Sequence, residues 1–172
     1  MSLAIEFGRN QVVLDFPKLI NHQNRARKMS TSVERRLEEI QRLLDNLTIE
    51  LSRGTPIIVE GKKDAKALKE LKISGEIIYA KTSGKTFLDV VREIEETRKN
   101  DVILLMDFDS RGREWTRRLA DYLERMKVRP NLVFWRRLSS LVGRDIEEIE
   151  GLSAYIQTLK RKIGRNILDM EQ

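Results

Sequence analysis

Two apolar runs that each end at a carboxylate most strongly constrain the fold of this 172-residue chain. The first run spans residues 56–59 and is followed by Glu60 and Gly61; the second spans residues 102–106 and is followed by Asp107. In α/β proteins, parallel strands carry functional groups at their carboxyl ends, which meet at one edge of the sheet. The two runs therefore predict strands of a parallel sheet whose carboxylates gather at the same edge.

From residue 55 onward the sequence alternates between strand patterns and helix patterns. Strands are predicted at 56–60, 76–80, 102–107 and 131–135, and helices at 63–72, 85–99, 111–127 and 145–163. This alternation favours an α/β fold with a mostly parallel sheet covered by helices on both faces. The second apolar run shows no polar alternation, which is typical of a central strand buried on both sides.

An amphipathic helix is predicted over residues 32–52, ahead of the alternating region. Thr31 and Glu34 have the spacing of a capping box at its start. The stripe either packs on the chain's own domain or forms a seam for a second copy or a protein partner. Its apolar side chains recur at spacings of three and four residues and are Val33, Leu37, Ile40, Leu44, Leu47 and Leu51.

The composition favours a polyanionic partner without proving one. Lys and Arg total 33 against 27 Asp and Glu, a net charge of +6, and basic proteins often meet nucleic acid. The absence of cysteine excludes disulfides, thiolate zinc sites and a cysteine nucleophile, and fits a cytoplasmic protein. No apolar run approaches 18 residues, so no contact with a membrane is predicted.

Asp107 and Asp109 form the first half of a candidate metal site. Residues two apart on an extended segment face the same way, so both carboxylates can approach one cation. Magnesium prefers one or two carboxylates together with water and substrate phosphate. Gly112 allows a sharp turn into the next helix. Alternatively, Asp107 or Asp109 only caps the helix that begins near residue 111.

Glu60 forms the second half of this site. A carboxylate buried at a strand end without a partner is costly, so a metal, a cation or a role in proton transfer would account for it. The alternative is an ion pair with Lys62 or Lys63. Asp64 is predicted to cap the helix that follows, in preference to a catalytic role.

These two motifs resemble those of the Toprim domain, which is shared by topoisomerases, bacterial-type primases, recombination mediators and small ribonucleases that mature 5S ribosomal RNA. The family pattern is Glu-Gly after an apolar strand, an acidic residue shortly after, and then Asp-x-Asp after another strand with Gly three residues later. This chain has Glu60-Gly61, Asp64 and Asp107-Phe108-Asp109 with Gly112. The resemblance covers about residues 55 to 135.

The resemblance implies a four-stranded, mainly parallel sheet and a site for Mg²⁺, with Mn²⁺ as a substitute. It assigns Glu60 as general acid/base that also borders the metal, and Asp107 and Asp109 as metal ligands. Because the chain is short and has no cysteine for a zinc module, it is most similar to the small ribosomal-RNA-maturing ribonucleases. The implied domains are an N-terminal extension (1–54), the Toprim domain (55–135) and a helical C-terminal extension (136–172).

Basic residues near the predicted site are candidates for contacts with nucleic acid. Residues 111–137 hold nine Lys or Arg against three acidic residues. The alternative is a solvated helix face, because several of these charges alternate in sign at helical spacing. Trp135 is predicted at the end of the last strand, either stacking a base or packing in the core. The candidates are Lys62, Lys63, Arg111, Arg113, Arg117, Arg136 and Arg137.

The segment Ser83-Gly84-Lys85-Thr86 resembles the end of a phosphate-binding loop. The complete pattern requires glycine at the position of Tyr79, so a strand-to-helix turn is predicted instead. The leading hypothesis is therefore a magnesium-dependent nuclease that acts on nucleic acid, with structured RNA favoured over DNA. The alternatives are a non-catalytic RNA- or ribosome-binding protein and a subunit that docks through the helix at 32–52.

Overall fold

The structure is a computed structural model that describes residues 32–82 and 84–170, with side chains described as far as residue 164. The apolar segments 3–7 and 12–16, which flank Gly8-Arg9-Asn10 and predict a hairpin, lie outside the described residues. Thr31 of the predicted capping box and Ser83 lie outside them too. None of the described helices is long and apolar enough to cross a membrane.

A four-stranded sheet forms the centre of the described chain. Its strands are β1 (Ile57–Val59), β2 (Ile77–Tyr79), β3 (Asp101–Leu105) and β4 (Arg129–Asn131), in the order β2-β1-β3-β4. All three pairings are parallel, so the prediction of a mainly parallel α/β sheet is confirmed. The central strands β1 and β3 are neighbours, and their carboxyl ends therefore deliver the residues that follow them to one place.

Helices cover both faces of the sheet, as predicted. The described part of the chain contains α1 (Ser32–Ser52), α2 (Lys62–Glu70), α3 (Phe87–Glu96), α4 (Ser110–Arg125), α5 (Val133–Val142) and α6 (Leu152–Met170). Side chains of α1, α2, α5 and α6 share one apolar core with one face of the sheet, and those of α3 and α4 share a second core with the other face. Alternate strand residues divide between the cores, because successive side chains point to opposite faces.

The apolar stripe of α1 is buried within this chain. Ile40, Leu44, Leu47 and Leu51 are at most 4% exposed and belong to the core that also contains residues of α5 and α6. Of the two interpretations of the stripe, packing on the chain's own domain is therefore confirmed. The four deeply buried side chains of this stripe are not available for docking, and docking through the rest of the helix at 32–52 stays a prediction. The domain division at residues 54 and 135 stays a prediction.

Replacing Leu47 with alanine tests how much α1 contributes to the stability of the fold. Leu47 is fully buried, and such a truncation removes apolar contacts and leaves a cavity. We expect the free energy of unfolding to fall by about 2–5 kcal/mol. Chemical denaturation of Leu47→Ala beside the exposed-site variant Ile49→Ala measures this, and equal losses in the two variants would contradict it.

The strand predicted at 131–135 is largely wrong. β4 ends at Asn131, whose side chain accepts a hydrogen bond from the backbone N–H of Val133 at 3.0 Å, and α5 begins there. The apolar run looked strand-like because it is rich in aromatic and β-branched residues. However, Phe134, Leu138 and Val142 recur every four residues and are all buried, which is the helical pattern.

The helix predicted at 145–163 begins later, at Leu152, after a short 3₁₀ turn at Ile149–Gly151. The N–H groups of Asp145 and Ile146 still donate to the carbonyl of Val142, but the next residue bonds across the fold. The N–H of Phe108 donates to the carbonyl of Glu147 at 2.6 Å. Glu147 is therefore held against the segment that follows β3, which could not be predicted from local helical spacing.

Candidate active site

An acidic cavity of about 340 Å³ lies where β1 and β3 end. The edge is the one that the sequence predicted for the carboxylates, and both predicted motifs contribute to it. The C-terminal part of the chain also contributes, through two glutamates that the sequence analysis did not select. The cavity is lined by Glu60, Gly61, Lys62, Lys63, Asp64, Asp107, Glu148 and Glu150.

Glu60 directly follows β1, and its two carboxylate oxygens have different surroundings. Oε1 lies 2.5 Å from Nζ of Lys81, which follows the neighbouring strand β2. Oε2 is buried and has no hydrogen-bond partner among the described residues. The alternative of an ion pair with Lys62 or Lys63 is therefore wrong, because the partner of Glu60 is Lys81. Lys81 reaches Glu60 because β1 and β2 pair in register, and the N–H of Lys81 also donates to the carbonyl of Glu60 at 2.7 Å.

Asp107 is the most deeply placed carboxylate of the DxD motif. Its side chain is buried, and Oδ1 accepts a hydrogen bond from the backbone N–H of Ile149 at 2.9 Å. The pKa of Asp107 is raised to about 7, chiefly by burial. The Ile149 N–H opposes this rise, and the charges of Asp64 and Glu60 contribute to it. Glu60 and Asp107 are therefore close enough for a proton or a cation between them to relieve their repulsion.

Asp64 and Asp109 both act as helix caps. Asp64 accepts a hydrogen bond from the N–H of Gly61 at 2.7 Å within a capping arrangement at the start of α2, so its predicted capping role is confirmed. Burial also raises the pKa of Asp64. Asp109 is the N-cap of α4 and accepts from the N–H of Gly112 at 2.6 Å. The capping alternative for Asp109 is confirmed, and a further role as metal ligand stays a prediction.

The segment of residues 147–150 completes the site from outside the Toprim-like region. Besides the backbone bonds to Phe108 and Asp107, its Glu150 forms an ion pair with Lys63 at 3.2 Å. The pKa of Glu148 is raised, chiefly by its hydrogen bond with Glu150. These residues were predicted to be helical and so were not expected to line the site. Three glutamates within four residues were the available signal.

The chemistry of the cavity fits a magnesium ion, although its side chains are not arranged as a complete set of ligands. Magnesium takes hard oxygen ligands, and one or two carboxylates with water and phosphate suffice. Glu60 and Asp107 offer such a pair, and although Lys81 holds Oε1 of Glu60, the buried Oε2 has no partner among the described residues. Within the described chain, no three Asp, Glu, His or Cys side chains are grouped to hold a metal.

Asp107→Asn is expected to stabilise the metal-free protein above about pH 7. The pKa of Asp107 is higher in the folded chain than its ordinary value of 3.8, so folding favours the protonated form. The resulting stabilisation is complete below about pH 4 and is lost as the pH rises towards 7. Asparagine keeps an acceptor for the Ile149 N–H and carries no charge.

Melting temperatures of the wild type and Asp107→Asn, measured in chelator from pH 4 to pH 8, test this expectation. The advantage of the variant should be smallest near pH 4, grow as the pH rises to about 7 and stay constant above it, and Asp121→Asn on the exposed face of α4 is the control. A constant difference at all pH values would contradict it.

The predicted nucleic-acid contacts divide into two groups. The first group follows the two motifs: Lys62, Lys63, Arg111 and Arg113 lie at the start of α2 or α4, and Arg117 lies halfway along α4. Among these, the guanidinium of Arg113 donates to the carbonyl of Phe108 and so supports the DxD loop. The guanidinium of Arg117 lies 3.7 Å from Asp121 on its own helix.

Arg136 and Arg137 do not line the acidic cavity. Both lie in α5, so their predicted position at a strand end is wrong. Arg136 lines a depression beside Asp101 and Arg129, which begin β3 and β4, at the opposite edge of the sheet. Trp135 is half-buried against the core, and its indole N–H donates to the carbonyl of Asp107 at 3.4 Å, which supports the packing interpretation.

The segment after β2 forms a turn into α3, as predicted. Thr86 is the N-cap of α3 and accepts from the N–H of Asp89. The ammonium of Lys85 donates to the carbonyl of Tyr79 at 2.8 Å and pairs with Glu93. Lys85 is thereby engaged in holding the turn, which agrees with the rejection of a nucleotide-binding loop.

Comparison with known proteins agrees with the motifs. The Toprim domain model matches residues 55–134. A UPF0292 protein of Methanosarcina barkeri is 32% identical over 130 residues, which are 76% of this chain and 89% of the relative. A UPF0292 protein of Methanocaldococcus jannaschii is 32% identical over 120 residues, which are 69% of this chain and 91% of the relative.

A solved structure described as a putative protein from Aquifex aeolicus is also similar. It shares 31% sequence identity and a TM-score of 0.54, and the likeness covers 64% of this chain and 94% of that one. The Toprim match contains all four strands and both carboxylate motifs. The similarity to the Methanosarcina barkeri protein spans 130 residues, which is more than the Toprim match, and it covers 89% of that relative. This chain therefore belongs to the UPF0292 family of Toprim-domain proteins.

Proposed function

We propose that this protein is a magnesium-dependent phosphodiesterase that cleaves nucleic acid, with structured RNA as the favoured substrate. A Toprim domain indicates a metal-binding function related to nucleic acids. The observation that carries the finer proposal is that Glu60 and Asp107, two carboxylates from neighbouring strands, line the same cavity. Such a pair would otherwise be repulsive, and it suits a site that takes up a cation and moves a proton.

In this proposal Glu60 exchanges a proton with the attacking or leaving oxygen of the phosphodiester. Its Oε1 is held by Lys81, and its Oε2 has no hydrogen-bond partner among the described residues. Asp107 holds the cation and is itself oriented by the Ile149 N–H. A bound magnesium ion would neutralise charge on the phosphate and orient the reacting oxygens. Asp109 borders the same loop, and Mn²⁺ is expected to substitute for Mg²⁺.

Basic residues at the starts of α2 and α4 would bind the phosphate backbone on either side of the cavity. Lys62 and Arg111 are exposed there, close in sequence to Glu60 and Asp109. Phosphate contacts position a nucleic acid without reading its sequence. The preference for RNA comes from the resemblance to the ribosomal-RNA-maturing ribonucleases.

A non-catalytic nucleic-acid-binding protein is the second candidate. It is favoured by the engagement of Asp109 as a helix cap and by the lack of a ready three-ligand group in the described residues. In this case the carboxylate cavity would bind a cation that supports contact with phosphate, without any cleavage.

One experiment separates the two candidates. Labelled total RNA and single- and double-stranded DNA are incubated with the protein in Mg²⁺, in Mn²⁺ or in chelator. The wild type is compared with Asp107→Asn/Asp109→Asn, in which asparagine preserves the cap of α4 and the acceptor for Ile149. We expect cleavage by the wild type that requires the metal and is lost in the double variant.

Melting temperatures of the same proteins provide a second measurement. Added Mg²⁺ should raise the melting temperature of the wild type, because a ligand stabilises the folded state that binds it. The double variant should show no such rise. Metal binding and nucleic-acid binding without cleavage would favour the second candidate, and absence of both would overturn both candidates.

A further inference from the structure

Lys81 is a charged residue of the site that neither the sequence motifs nor the Toprim pattern selects. It lies two residues beyond β2, and its ammonium is 2.5 Å from Oε1 of Glu60. The Lys81 side chain is 34% exposed and that of Glu60 23%, so the pair is partly shielded from solvent at the cavity edge. Backbone pairing between the two residues fixes the base of the lysine side chain next to the carboxylate.

A second contact restricts the ammonium of Lys81 from another side. Nζ lies 5.9 Å from the ring centroid of Trp115 in α4, within the range of a cation–π interaction. Trp115 is itself held by Phe87, whose ring centroid is 5.7 Å away. The ammonium of Lys81 therefore contacts both an aromatic ring and a carboxylate. Such a position is more defined than that of an ordinary surface ion pair, which is flexible and weak.

The two oxygens of Glu60 are thereby made unequal. Oε1 receives the ammonium, while the buried Oε2 has no partner among the described residues. A general acid/base must present one oxygen in a fixed direction, since catalysis falls steeply with small misplacements of the reacting group. A carboxylate held at one oxygen by a fixed cation meets this requirement.

We propose that Lys81 is a positioning residue for catalysis: its ammonium holds Oε1 of Glu60 and so fixes the orientation of the carboxylate that transfers the proton. This inference rests on the proposed phosphodiesterase function. It predicts that Lys81 affects the rate of the chemical step and has little effect on substrate binding, unlike a lysine that binds the phosphate backbone.

The test compares Lys81→Met, which keeps the length of the side chain and removes the charge, with Lys81→Arg, which keeps the charge. Steady-state cleavage of an oligonucleotide substrate is measured in saturating Mg²⁺. For Lys81→Met we expect kcat to fall about 10- to 100-fold while KM changes less than about twofold. The kcat of Lys81→Arg should be about tenfold higher than that of Lys81→Met, because the guanidinium also binds a carboxylate.

Lys99→Met is the matched control for charge. Lys99 is exposed in the turn before β3, at the opposite edge of the sheet from Glu60. Lys99→Met changes the net charge by the same amount as Lys81→Met, so any general effect on attraction of the nucleic acid appears in both variants. Its kcat should equal that of the wild type.

Two further measurements separate positioning from a structural role. Lys81→Met should cost little additional kcat in a Glu60→Gln background, because the residue acts through Glu60. In chelator, Lys81→Met and Lys99→Met should bind the oligonucleotide with affinities equal within about twofold. Circular dichroism and melting curves confirm that each variant is folded.

The outcomes distinguish failure of this inference from failure of the proposed function. A large rise in KM with unchanged kcat, or no recovery with arginine in a folded protein, would overturn the positioning role and leave the nuclease proposal intact. Full activity of Lys81→Met beside an inactive Glu60→Gln would do the same. Cleavage at the wild-type rate in Glu60→Gln would overturn the acid/base role of Glu60 and this inference with it, whereas absence of metal-dependent cleavage by the wild type would overturn the proposed function itself.

Discussion

Glu60→Gln is expected to reduce kcat for nucleic-acid cleavage by about 10²–10⁴-fold, the usual contribution of a general acid or base. Glutamine has the same size, and its carbonyl oxygen can still accept from Lys81, so the local structure should persist. What is lost is the ability to take up and release a proton, together with one negative charge beside Asp107. Binding of nucleic acid should be retained or slightly stronger, because a charge that repels the polyanion is removed.

Glu96→Gln, an exposed position at the end of α3, is the control for this variant. Single-turnover cleavage and equilibrium binding, measured on the same oligonucleotide, keep the two effects apart. If Glu60→Gln weakened binding while single-turnover cleavage continued at the wild-type rate, Glu60 would be a binding residue and the acid/base assignment would be wrong. If neither protein cleaved, the non-catalytic candidate would gain support.

The sheet and the two motifs could be predicted because their patterns are local. A short apolar run followed by a carboxylate and glycine specifies a strand and its end within about ten residues. The helix over residues 32–52 was predicted with the observed bounds for the same reason, since its apolar spacing is regular over six positions. Parallel pairing then places Glu60 and Asp107 at one edge, without any further information from the sequence.

Other parts of the site depend on contacts between distant residues and have no local pattern. Glu60 and Lys81 are 21 residues apart, and Asp107 and Ile149 are 42 apart. Choosing Lys81 over the nearer Lys62 and Lys63 required the register of β1 and β2. The segment at 147–150 was predicted to be helical from local spacing, and its bonds to the end of β3 cannot be inferred from that spacing. The start of α5 was missed because strand propensity outweighed a four-residue repeat.

Gly112 belongs to the predicted motif, but the structure requires glycine there for a different reason from the predicted one. The sequence suggested that it allows a sharp turn, but its backbone does not have the positive φ that favours glycine. Instead, a Cβ at this position would lie 2.1 Å from the carbonyl oxygen of Asp107 and 2.7 Å from its carbonyl carbon. Both neighbours are backbone atoms of the loop that carries the site, so they can move only together with Asp107.

Gly112→Ala should therefore lower the free energy of unfolding by about 3 kcal/mol, as overpacking against fixed atoms does. Any protein that folds should also lose about 100-fold in cleavage rate, because relief of the clash displaces the Asp107 carboxylate. Gly164→Ala is the matched control: it lies within α6 with no atom within 4 Å of the added Cβ, and should stabilise the helix by about 0.5–1 kcal/mol. Denaturant unfolding measures the change in the free energy of unfolding of the two variants, and cleavage assays follow.

This change should be negative for Gly112→Ala and positive for Gly164→Ala if the close approach of α4 to Asp107 is what requires glycine. Equal stability of the two variants would mean that the loop moves without cost, and that Gly112 does not fix the position of Asp107.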